Sequence, residues 1–408
     1  MAEIQVRKVN SRQTLKDFIH VVDGIYRGCR QYVPDFESDI KGLFNPKLNP
    51  GLAFSEIQPF VAYQDGKAVG RIVGIVNHKA NKTWQTKNVR FSMIEFIDDQ
   101  AVSHALIEAV ETWGKGYGME HIHGPLGVTD FDKEGMLVED FDMNGSMTAI
   151  YNPPYYPQHM EALGFEKEVD WLQIRINIPE AVPAKYARVA QYNREAIGLR
   201  VEKFSKKEIM GELGHQAFQL FNQAYEHIFG FSELSSEQID HFLKKYVPVV
   251  DTKMIPIILN DKNEVVGAAV TMGSLCEALK KSKGRLWPFG WYHLLKSICL
   301  KHEKSAEMLL IAVHPDYQGL GVNAMFFDDL IPLYNKMGIQ WAETGPQLED
   351  NVRELSQWKP LKPEFVKRRR CWRKGLKAAS KREQSQAGLS SAEREQARYE
   401  VSGLRFIK

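Results

Sequence analysis

Residues 309–324 carry the residue types needed to hold a diphosphate. Leu309–Val313 is a short apolar run of the kind that forms a buried strand, and Pro315 ends it because proline has no N–H for a ladder. Gly319 and Gly321 follow, and a helix is predicted after them. Glycines let the backbone approach a ligand, and a helix start attracts anions. The stretch is either an ordinary strand-turn-helix connection or the pyrophosphate cradle of a CoA-type cofactor, and we predict the cradle.

The elements that position this loop form part of an internal repeat. Each half of the chain contains a predicted β-hairpin, followed by a further strand, a helix and a strand that ends in Gly-Pro. In the first half the parts are residues 59–63, 68–76, 89–97, 102–113 and Gly124-Pro125. In the second half they are residues 255–259, 265–272, 307–313, 324–337 and Gly345-Pro346.

The second half contains an amphipathic insertion, residues 280–304, with no counterpart in the first half. Its aromatic residues either cover an acyl or substrate pocket or are ordinary packing residues near a Pro-Gly turn; they are Trp287, Phe289, Trp291 and Tyr292.

The loop and the repeat resemble the GNAT acetyltransferase superfamily, whose cofactor loop reads Gln/Arg-x-x-Gly-x-Gly/Ala. Gln318, Gly321 and Asn323 stand at the three key positions, and Asn323 departs from the usual Gly or Ala. Its side chain either crowds the phosphates or gives them another donor. The first half reads Ile97-Asp-Asp-Gln-Ala-Val-Ser103 at the same place, and these two carboxylates are expected to repel a diphosphate.

The resemblance implies an α/β protein of two tandem GNAT-like domains, each a mixed, mostly antiparallel sheet flanked by helices. We predict a degenerate domain without a cofactor loop at residues 1–180, an acyl-CoA-binding domain at 190–378 and a polar tail at 379–408. The implied cofactor is acetyl-CoA or another acyl-CoA. The predicted cofactor-binding residues are Ile311, Ala312, Val313, Gln318, Gly319, Leu320, Gly321, Val322, Asn323 and Ala324, and the resemblance places an oxyanion-binding N–H among the first three.

The implied reaction moves an acyl group to the amine of a small molecule or peptide, so a base must take a proton from the ammonium. We predict Glu343 as this base, since it stands near the end of the strand beside the loop strand; the alternative is an exposed or ion-paired glutamate, and Glu349 and Asp350 are weaker candidates for the base. In many GNAT enzymes a tyrosine in the last helix donates a proton to the CoA thiolate. Trp358 stands at that position here, and Met160 stands at the matching position in the first half. Tyr155 and Tyr156, about one helical turn upstream of Met160, either substitute for this acid or pack, and we predict Tyr156 as the catalytic residue.

Composition narrows the remaining functions. The net charge of +2 does not favour wholesale nucleic-acid binding. The basic run Val366–Lys374 could still bind RNA, an acidic partner or the 3′-phosphate of CoA, or it could form a solvated edge strand. Four scattered cysteines indicate neither a disulfide framework nor a thiolate zinc site. His121 and His123 lie on one face of a strand but lack a third ligand, so we predict no metal.

Neither a secretion signal pattern nor an apolar run of membrane-spanning length is present, so we expect a cytoplasmic protein without a membrane partner. The predicted function is an acyl-CoA-dependent N-acyltransferase. The alternatives are a non-catalytic acyl-CoA-binding or scaffold protein and a tRNA-dependent aminoacyl transferase.

Overall fold

The structure is a computed structural model that describes residues 3–300 and 303–377. The predicted polar tail at 379–408 lies outside the described residues. The described chain forms two compact units. Unit 1 contains residues 3–145, 150–170 and 369–377, and unit 2 contains residues 146–149 and 171–368, apart from 301 and 302.

The strands alternate with helices along the described chain. The strands are β1 Ile4–Lys8, β2 Ser55–Gln64, β3 Lys67–Asn77, β4 Asn88–Phe96, β5 His121–Gly124, β6 Met136–Leu137, β7 Glu166–Asn177, β8 Arg200–Glu202, β9 Ile257–Leu259, β10 Val265–Gly273, β11 Ser305–Val313, β12 Trp341–Thr344, β13 Gln347–Leu348 and β14 Glu364–Gly375.

The α-helices are α1 Arg12–Ile25, α2 Glu37–Leu43, α3 His78–Thr83, α4 Gln100–Gly116, α5 Tyr155–Ala162, α6 Ala184–Ala196, α7 Lys206–Ile209, α8 Glu212–Tyr225, α9 Ser236–Tyr246, α10 Cys276–Ser282, α11 Gly290–Leu295, α12 Asn323–Met337 and α13 Val352–Ser356. Short 3₁₀ turns span Pro50–Ala53, Thr252–Met254, Pro315–Tyr317 and Lys359–Leu361, and a π-turn spans Lys296–Leu300.

The sheet of unit 1 has the order β1-β2-β3-β4-β5-β14, with β6 beside β14. Only the β4-β5 pair is parallel along this order. Alternate residues of β2 face different cores: Phe60 and Ala62 pack with α4, and Val61 and Tyr63 pack with α1. Both faces of the sheet are therefore covered by helices, as the period of two along a strand requires.

The sheet of unit 2 has the order β7-β12-β11-β10-β9-β8, with β13 beside β7. The β11-β12 pair is parallel, and the other pairs are antiparallel. The core formed against β9 and β10 contains side chains from α6 and α12, among them Ala190, Phe326 and Leu330. Each unit is thus a mixed, mostly antiparallel sheet flanked by helices, and the predicted fold class is confirmed.

Both predicted hairpins are present. In the first, Asp65 and Gly66 both have positive φ, at 49° and 74°, as a two-residue turn between right-twisted strands requires. In the second, β9 and β10 are joined by a loop in which the N–H of Asn260 donates to the carbonyl of Glu264.

The chain passes between the units inside two strands. β7 crosses at Asp170 and Trp171, and β14 crosses at Arg368 and Arg369, whereas the predicted domain limits lie at 180, 190 and 378. The second half of β14 pairs with β5 of unit 1, so that Trp372 lies opposite Gly124. A pairing between strands this far apart in sequence leaves no local pattern, which is why the predicted limits and the compact units differ.

Candidate functional site

The two parallel strands of unit 2 separate in the middle of the sheet. β11 and β12 pair from Ser305 and Trp341 to Met308 and Thr344, and β12 then ends. β11 continues to Val313 with β10 as its partner, after an irregularity in the β10-β11 register between Val270 and Thr271. One edge of β11 is therefore open to contacts other than a strand.

The polar groups along this open edge contact side chains. The Tyr225 hydroxyl, at the end of α8, donates to the carbonyl of Ile311 over 2.9 Å and lies 3.3 Å from the Ile311 nitrogen. The Gln318 side chain donates to the carbonyl of Val313 over 3.1 Å. Ile311 and Val313, two of the predicted cofactor-binding residues, thus have backbone groups at this edge. A third, Gln318, contacts the edge through its side chain.

The predicted cradle lies between β11 and α12. Gly319 and Gly321 both have positive φ, at 85° and 72°, and both are exposed. A Cβ on Gly321 would lie only 2.6 Å from a methyl carbon of Val189, so only glycine fits there. α12 begins at Asn323 without a side-chain cap, and the N–H groups of its second and third residues, Ala324 and Met325, donate to the carbonyls of Gly321 and Val322 over 2.9 Å.

Asn323, the residue that departs from the loop pattern, is directed toward the end of α13. Its Nδ2 donates to Oε1 of Gln357, and its Oδ1 is buried without a hydrogen-bond partner among the described residues. The side-chain donor that could have served a phosphate is therefore already engaged within unit 2.

Two buried carboxylates lie side by side next to the opening. Glu307 of β11 and Glu343 of β12 are register partners, and both are nearly inaccessible to solvent. Glu343 accepts from Nζ of Lys367 over 2.6 Å and from Nη2 of Arg175, also over 2.6 Å. The predicted base is thus ion-paired on both of its oxygens.

Glu307 has neutral partners instead. One oxygen accepts from Oγ1 of Thr148 over 3.2 Å, and the other lies 3.5 Å from the thiol of Cys276. Burial raises the pKa of Glu307 to about 7, the charge of Glu343 adds to the rise, and Lys367 opposes it. A carboxylate with a pKa near neutrality has the property needed in a general base, and the sequence reasoning overlooked it. The available signal was one carboxylate inside an apolar strand.

The other predicted catalytic residue, Tyr156, lies in unit 1 and is fully buried there. Its hydroxyl accepts from the N–H of Phe96 over 2.8 Å and donates to Glu95 over 3.0 Å. Its ring stacks on that of Phe96 with centroids 4.1 Å apart. Met160 belongs to the same core. The structure therefore places Tyr156 in a different unit from the loop and from Glu343.

Glu95 makes the stability of unit 1 depend on pH. Burial raises its pKa from 4.5 to about 7, so the folded state holds the proton more tightly than the unfolded chain does. Its contribution is complete below about pH 4.5 and is lost as pH rises through 7. Between pH 4.5 and 7.5 the ionisation of Glu95 should lower the free energy of unfolding by about 3 kcal/mol. Glu95→Gln should abolish this decrease, which urea unfolding across the same pH range measures. Glu108→Gln, on the surface of α4, is the control, and an unchanged slope in Glu95→Gln would contradict the assignment.

The strand-to-helix connection of unit 1 differs from that of unit 2. The carboxylate of Asp99 accepts from the N–H of Ala101 and caps α4, and Asp98 accepts from Nε2 of His159 over 3.0 Å. The start of this helix already has an anionic cap, and the expected loss of diphosphate binding in the first half stays a prediction.

Trp358, which stands where the sequence sought a proton donor, is a core residue of unit 2. It is buried, its indole donates to Gln347 over 3.1 Å, and its ring packs on Phe327. Its role is packing.

His123 lies close to two other potential metal ligands of unit 1, Glu168 and Cys371. His121, which the sequence pairs with His123, does not belong to this group. Its Nδ1 is 2.9 Å from a carboxylate oxygen of Glu168, and the thiol of Cys371 is 3.4 Å from the same oxygen. Burial lowers the pKa of His123, and the guanidinium groups of Arg90 and Arg373 lower it further. Two nearby positive charges oppose a bound cation, so this cluster is best described as a hydrogen-bonded group.

The basic run in β14 is largely engaged by acceptors. In unit 1, Arg370 binds Asp170 through two hydrogen bonds of 2.8 and 3.0 Å, and Arg369 donates to the carbonyl of Ile150. In unit 2, Arg368 pairs with Glu349 and Lys367 with Glu343. These cations are held within the protein, which does not favour an RNA-binding surface here.

Comparison with solved structures decides the fold. A tandem GNAT protein from the clavulanic acid biosynthesis pathway superposes with a TM-score of 0.54, over 93% of this chain and 100% of that one, at 11% identity. The chain has the tandem GNAT fold. A GCN5-related glucosamine N-acetyltransferase region of a fungal multi-domain GH3 β-N-acetylglucosaminidase gives a TM-score of 0.55 over 92% of this chain and 38% of that one, at 13% identity.

Two curated proteins are similar to this chain in sequence. Protein YghO of Escherichia coli strain K12 is 25% identical over 382 residues, which cover 91% of this chain and 95% of that protein. The bacterial ceramide synthase of Caulobacter vibrioides is 25% identical over 319 residues, which cover 78% of this chain and 82% of that protein. No protein-family model matches the chain. No helix among the described residues is long and apolar enough to cross a membrane.

Proposed function

We propose that this tandem GNAT protein is an N-acyltransferase that binds an acyl-CoA in unit 2 and transfers the acyl group to an amine. The observation that carries the proposal is the opening between β11 and β12. It places a strand edge, a glycine loop and a carboxylate with a pKa of about 7 in one short segment of unit 2.

The residues of unit 2 fit an acyl-CoA. Such a cofactor has a diphosphate, an amide-containing arm and an activated thioester acyl group. The loop Gln318–Ala324, whose exposed glycines precede α12, would hold the diphosphate. The backbone groups of Ile311 and the carbonyl of Val313 contact the side chains of Tyr225 and Gln318 and not another strand; an acyl-CoA that displaces these two side chains would hydrogen-bond the same groups through its arm and its acyl carbonyl. Ala312, between Ile311 and Val313, continues the β11 pairing with β10.

Glu307 is the group that we propose to take a proton from the acceptor amine. An ammonium near neutral pH must lose a proton before its nitrogen can form the new amide bond. The carboxylate of Glu307 would accept that proton while Thr148 and Cys276 keep it oriented. Glu343, which is ion-paired with Arg175 and Lys367, would raise the pKa of Glu307 through its charge and would not contact the substrate.

The size of the acyl group is a separate proposal. One relative is named a ceramide synthase, and a ceramide is the amide of a fatty acid with a long-chain amino alcohol. We therefore propose a long-chain acyl donor and a long-chain amino alcohol as acceptor, ahead of the acetyl group that the fold resemblance implies.

Release of free CoA from hexadecanoyl-CoA in the presence of sphinganine tests this function, with acetyl-CoA and a lysine peptide as the competing donor and acceptor. We expect release that depends on the amine, together with an amide product detected by mass spectrometry. If release depends on the amine only with acetyl-CoA, the long-chain donor is excluded and the N-acyltransferase is retained. If neither hexadecanoyl-CoA nor acetyl-CoA binds at millimolar concentration, the long-chain donor and the N-acyltransferase are both excluded.

The cofactor loop gives a prediction with a matched control. Gly321 and Gly338 lie before and after α12 with φ of 72° and 73°, but only a Cβ at Gly321 would meet a neighbour, the side chain of Val189. We expect Gly321→Ala to weaken CoA binding at least about tenfold, because the loop must shift to relieve this contact. Gly338→Ala introduces the same backbone strain and should leave affinity unchanged. Calorimetric titration with CoA measures both variants, and equal affinities would argue against the cradle.

A non-catalytic acyl-CoA-binding protein is the second candidate. It is favoured by the two positions at which the sequence sought a proton donor, because Trp358 and Met160 are both buried in cores. Binding of hexadecanoyl-CoA without amine-dependent release of CoA, across the acceptors above, would support this role over transfer.

A further inference from the structure

Residues 286–295 of unit 2 expose an unusual amount of apolar surface. Trp287 and Phe289 are 79% and 73% exposed, and four more large side chains in the same ten residues are at least two-fifths exposed; these are Leu286, Trp291, Tyr292 and Leu295. We call residues 286–295 the aromatic tip. Scattered apolar residues are normal on a surface, but a contiguous group marks a contact with a partner. The exposed fractions show that these rings do not pack in the interior of unit 2.

The aromatic tip is a folded turn and not a frayed loop. The N–H of Trp291 donates to the carbonyl of Leu286 over 2.9 Å, and its indole N–H donates to the carbonyl of Pro288 over 3.1 Å. A Cβ on Gly290 would lie 1.7 Å from the carbonyl oxygen of Arg285, so the turn closes as tightly as a backbone can. Leu294 is buried and anchors α11. The local fold therefore holds the rings out in solvent.

The charges around the aromatic tip have one sign. No acidic residue occurs in the sequence between Glu277 and Glu303, whereas six lysines and arginines do: Lys280, Lys281, Lys283, Arg285, Lys296 and Lys301. Lys281, Lys283 and Lys296 are exposed. The surface is therefore complementary to a negatively charged partner.

We propose that the aromatic tip docks unit 2 onto the surface of a membrane that contains anionic phospholipid. Rings of Trp and Tyr beside lysines match the boundary between headgroups and acyl chains, where rings enter the apolar layer and ammonium groups meet phosphates. A protein partner fits less well, because lysine is depleted in protein-protein interfaces.

Docking of this kind needs no membrane-spanning helix, so it is compatible with the absence of one among the described residues. It revises the sequence-based expectation of no membrane partner. The proposal depends on the exposed side chains alone and not on the proposed function, although it would bring a lipid-like acceptor close to unit 2.

Flotation of the full chain with vesicles tests this docking. We expect binding to vesicles of phosphatidylcholine with 30% phosphatidylglycerol, and at least about tenfold weaker binding to phosphatidylcholine alone. The double variant Trp287→Ser, Phe289→Ser should lose at least tenfold in affinity for the anionic vesicles. Lys281→Gln and Lys283→Gln should each lose about fivefold, and high salt should reproduce that loss.

The controls are Leu48→Ser and Trp84→Ser, which remove exposed apolar side chains elsewhere and should bind vesicles like the unchanged protein. Thermal unfolding checks that all variants are folded. Absence of vesicle binding in the unchanged protein would overturn the proposal. So would concentration-dependent self-association that the double variant abolishes while vesicle binding stays the same, since the aromatic tip would then join copies of the chain.

Discussion

Replacement of Glu307 by glutamine is expected to lower kcat for amine-dependent CoA release by about 10²- to 10⁴-fold, the usual contribution of a positioned general base. Glutamine keeps the shape, and its single amide oxygen can accept from Thr148 or from Cys276 while its NH2 group faces the other, but it cannot take a proton. Affinity for CoA should not change, because the contacts proposed for CoA lie on the loop and on the edge of β11.

The pH dependence of the unchanged protein gives a second readout. Since the pKa of Glu307 is about 7 and the base must be ionised, kcat/KM should rise as pH increases through 7 and then level off. Residual activity in Glu307→Gln should lack this rise. Glu264→Gln, which removes an exposed carboxylate of unit 2, is the control. A variant at Glu307 with normal kcat and a normal pH profile would show that the proton goes elsewhere.

The second large effect is expected at Lys367, whose side chain is buried against Glu343. Lys367→Met should destabilise unit 2 by about 3 kcal/mol, because it leaves a buried carboxylate with one cation instead of two. Arg175 still compensates Glu343, which places the effect at the low end of the range for a broken buried pair. Lys367 has a positive φ of 52°, and methionine bears the same backbone strain, so the substitution isolates the charge.

Lys367→Met should also change the chemistry. Lys367 lowers the pKa of Glu307, so its loss should move the rise in kcat/KM to higher pH. Urea unfolding and a pH-rate profile measure the two effects on one sample. Lys203→Met is the matched control, because Lys203 pairs with Asp329 in a partly exposed position where an ion pair contributes little. Normal stability together with an unshifted pH profile would mean that the pair does not act on Glu307.

The sequence predicts the local parts of the fold because each has a local cause. Asp65-Gly66 requires a turn wherever it stands, and Pro315 with Gly319 and Gly321 requires the chain to leave a strand and enter a helix. The repeat could be predicted for the same reason, since it is a series of such local signals.

The carboxylate pair could not be predicted in this way. Glu307 and Glu343 become neighbours only through the parallel register of β11 and β12, and the cations that hold Glu343 come from β7 and β14. The sequence indicates Glu343 as the base because this residue stands near a strand end. The sequence does not indicate that Glu343 hydrogen-bonds two cations, Arg175 and Lys367, whereas Glu307 hydrogen-bonds neutral groups. The aromatic tip is a similar case, because amphipathic composition predicts a covered face and only the tertiary structure shows the rings in solvent.

The crossing of β14 from unit 2 into unit 1 sets an order of events during synthesis. The last strand of unit 1 begins at Arg369, about 200 residues after Asp170, the end of the preceding part of this unit. At translation rates of about 5–20 residues per second, the ribosome needs about 10–40 s to cover that distance. The synthesis of unit 1 thus begins first and ends last. Until β14 leaves the ribosome, the edge of β5 with which β14 pairs can form hydrogen bonds with another strand or with a chaperone.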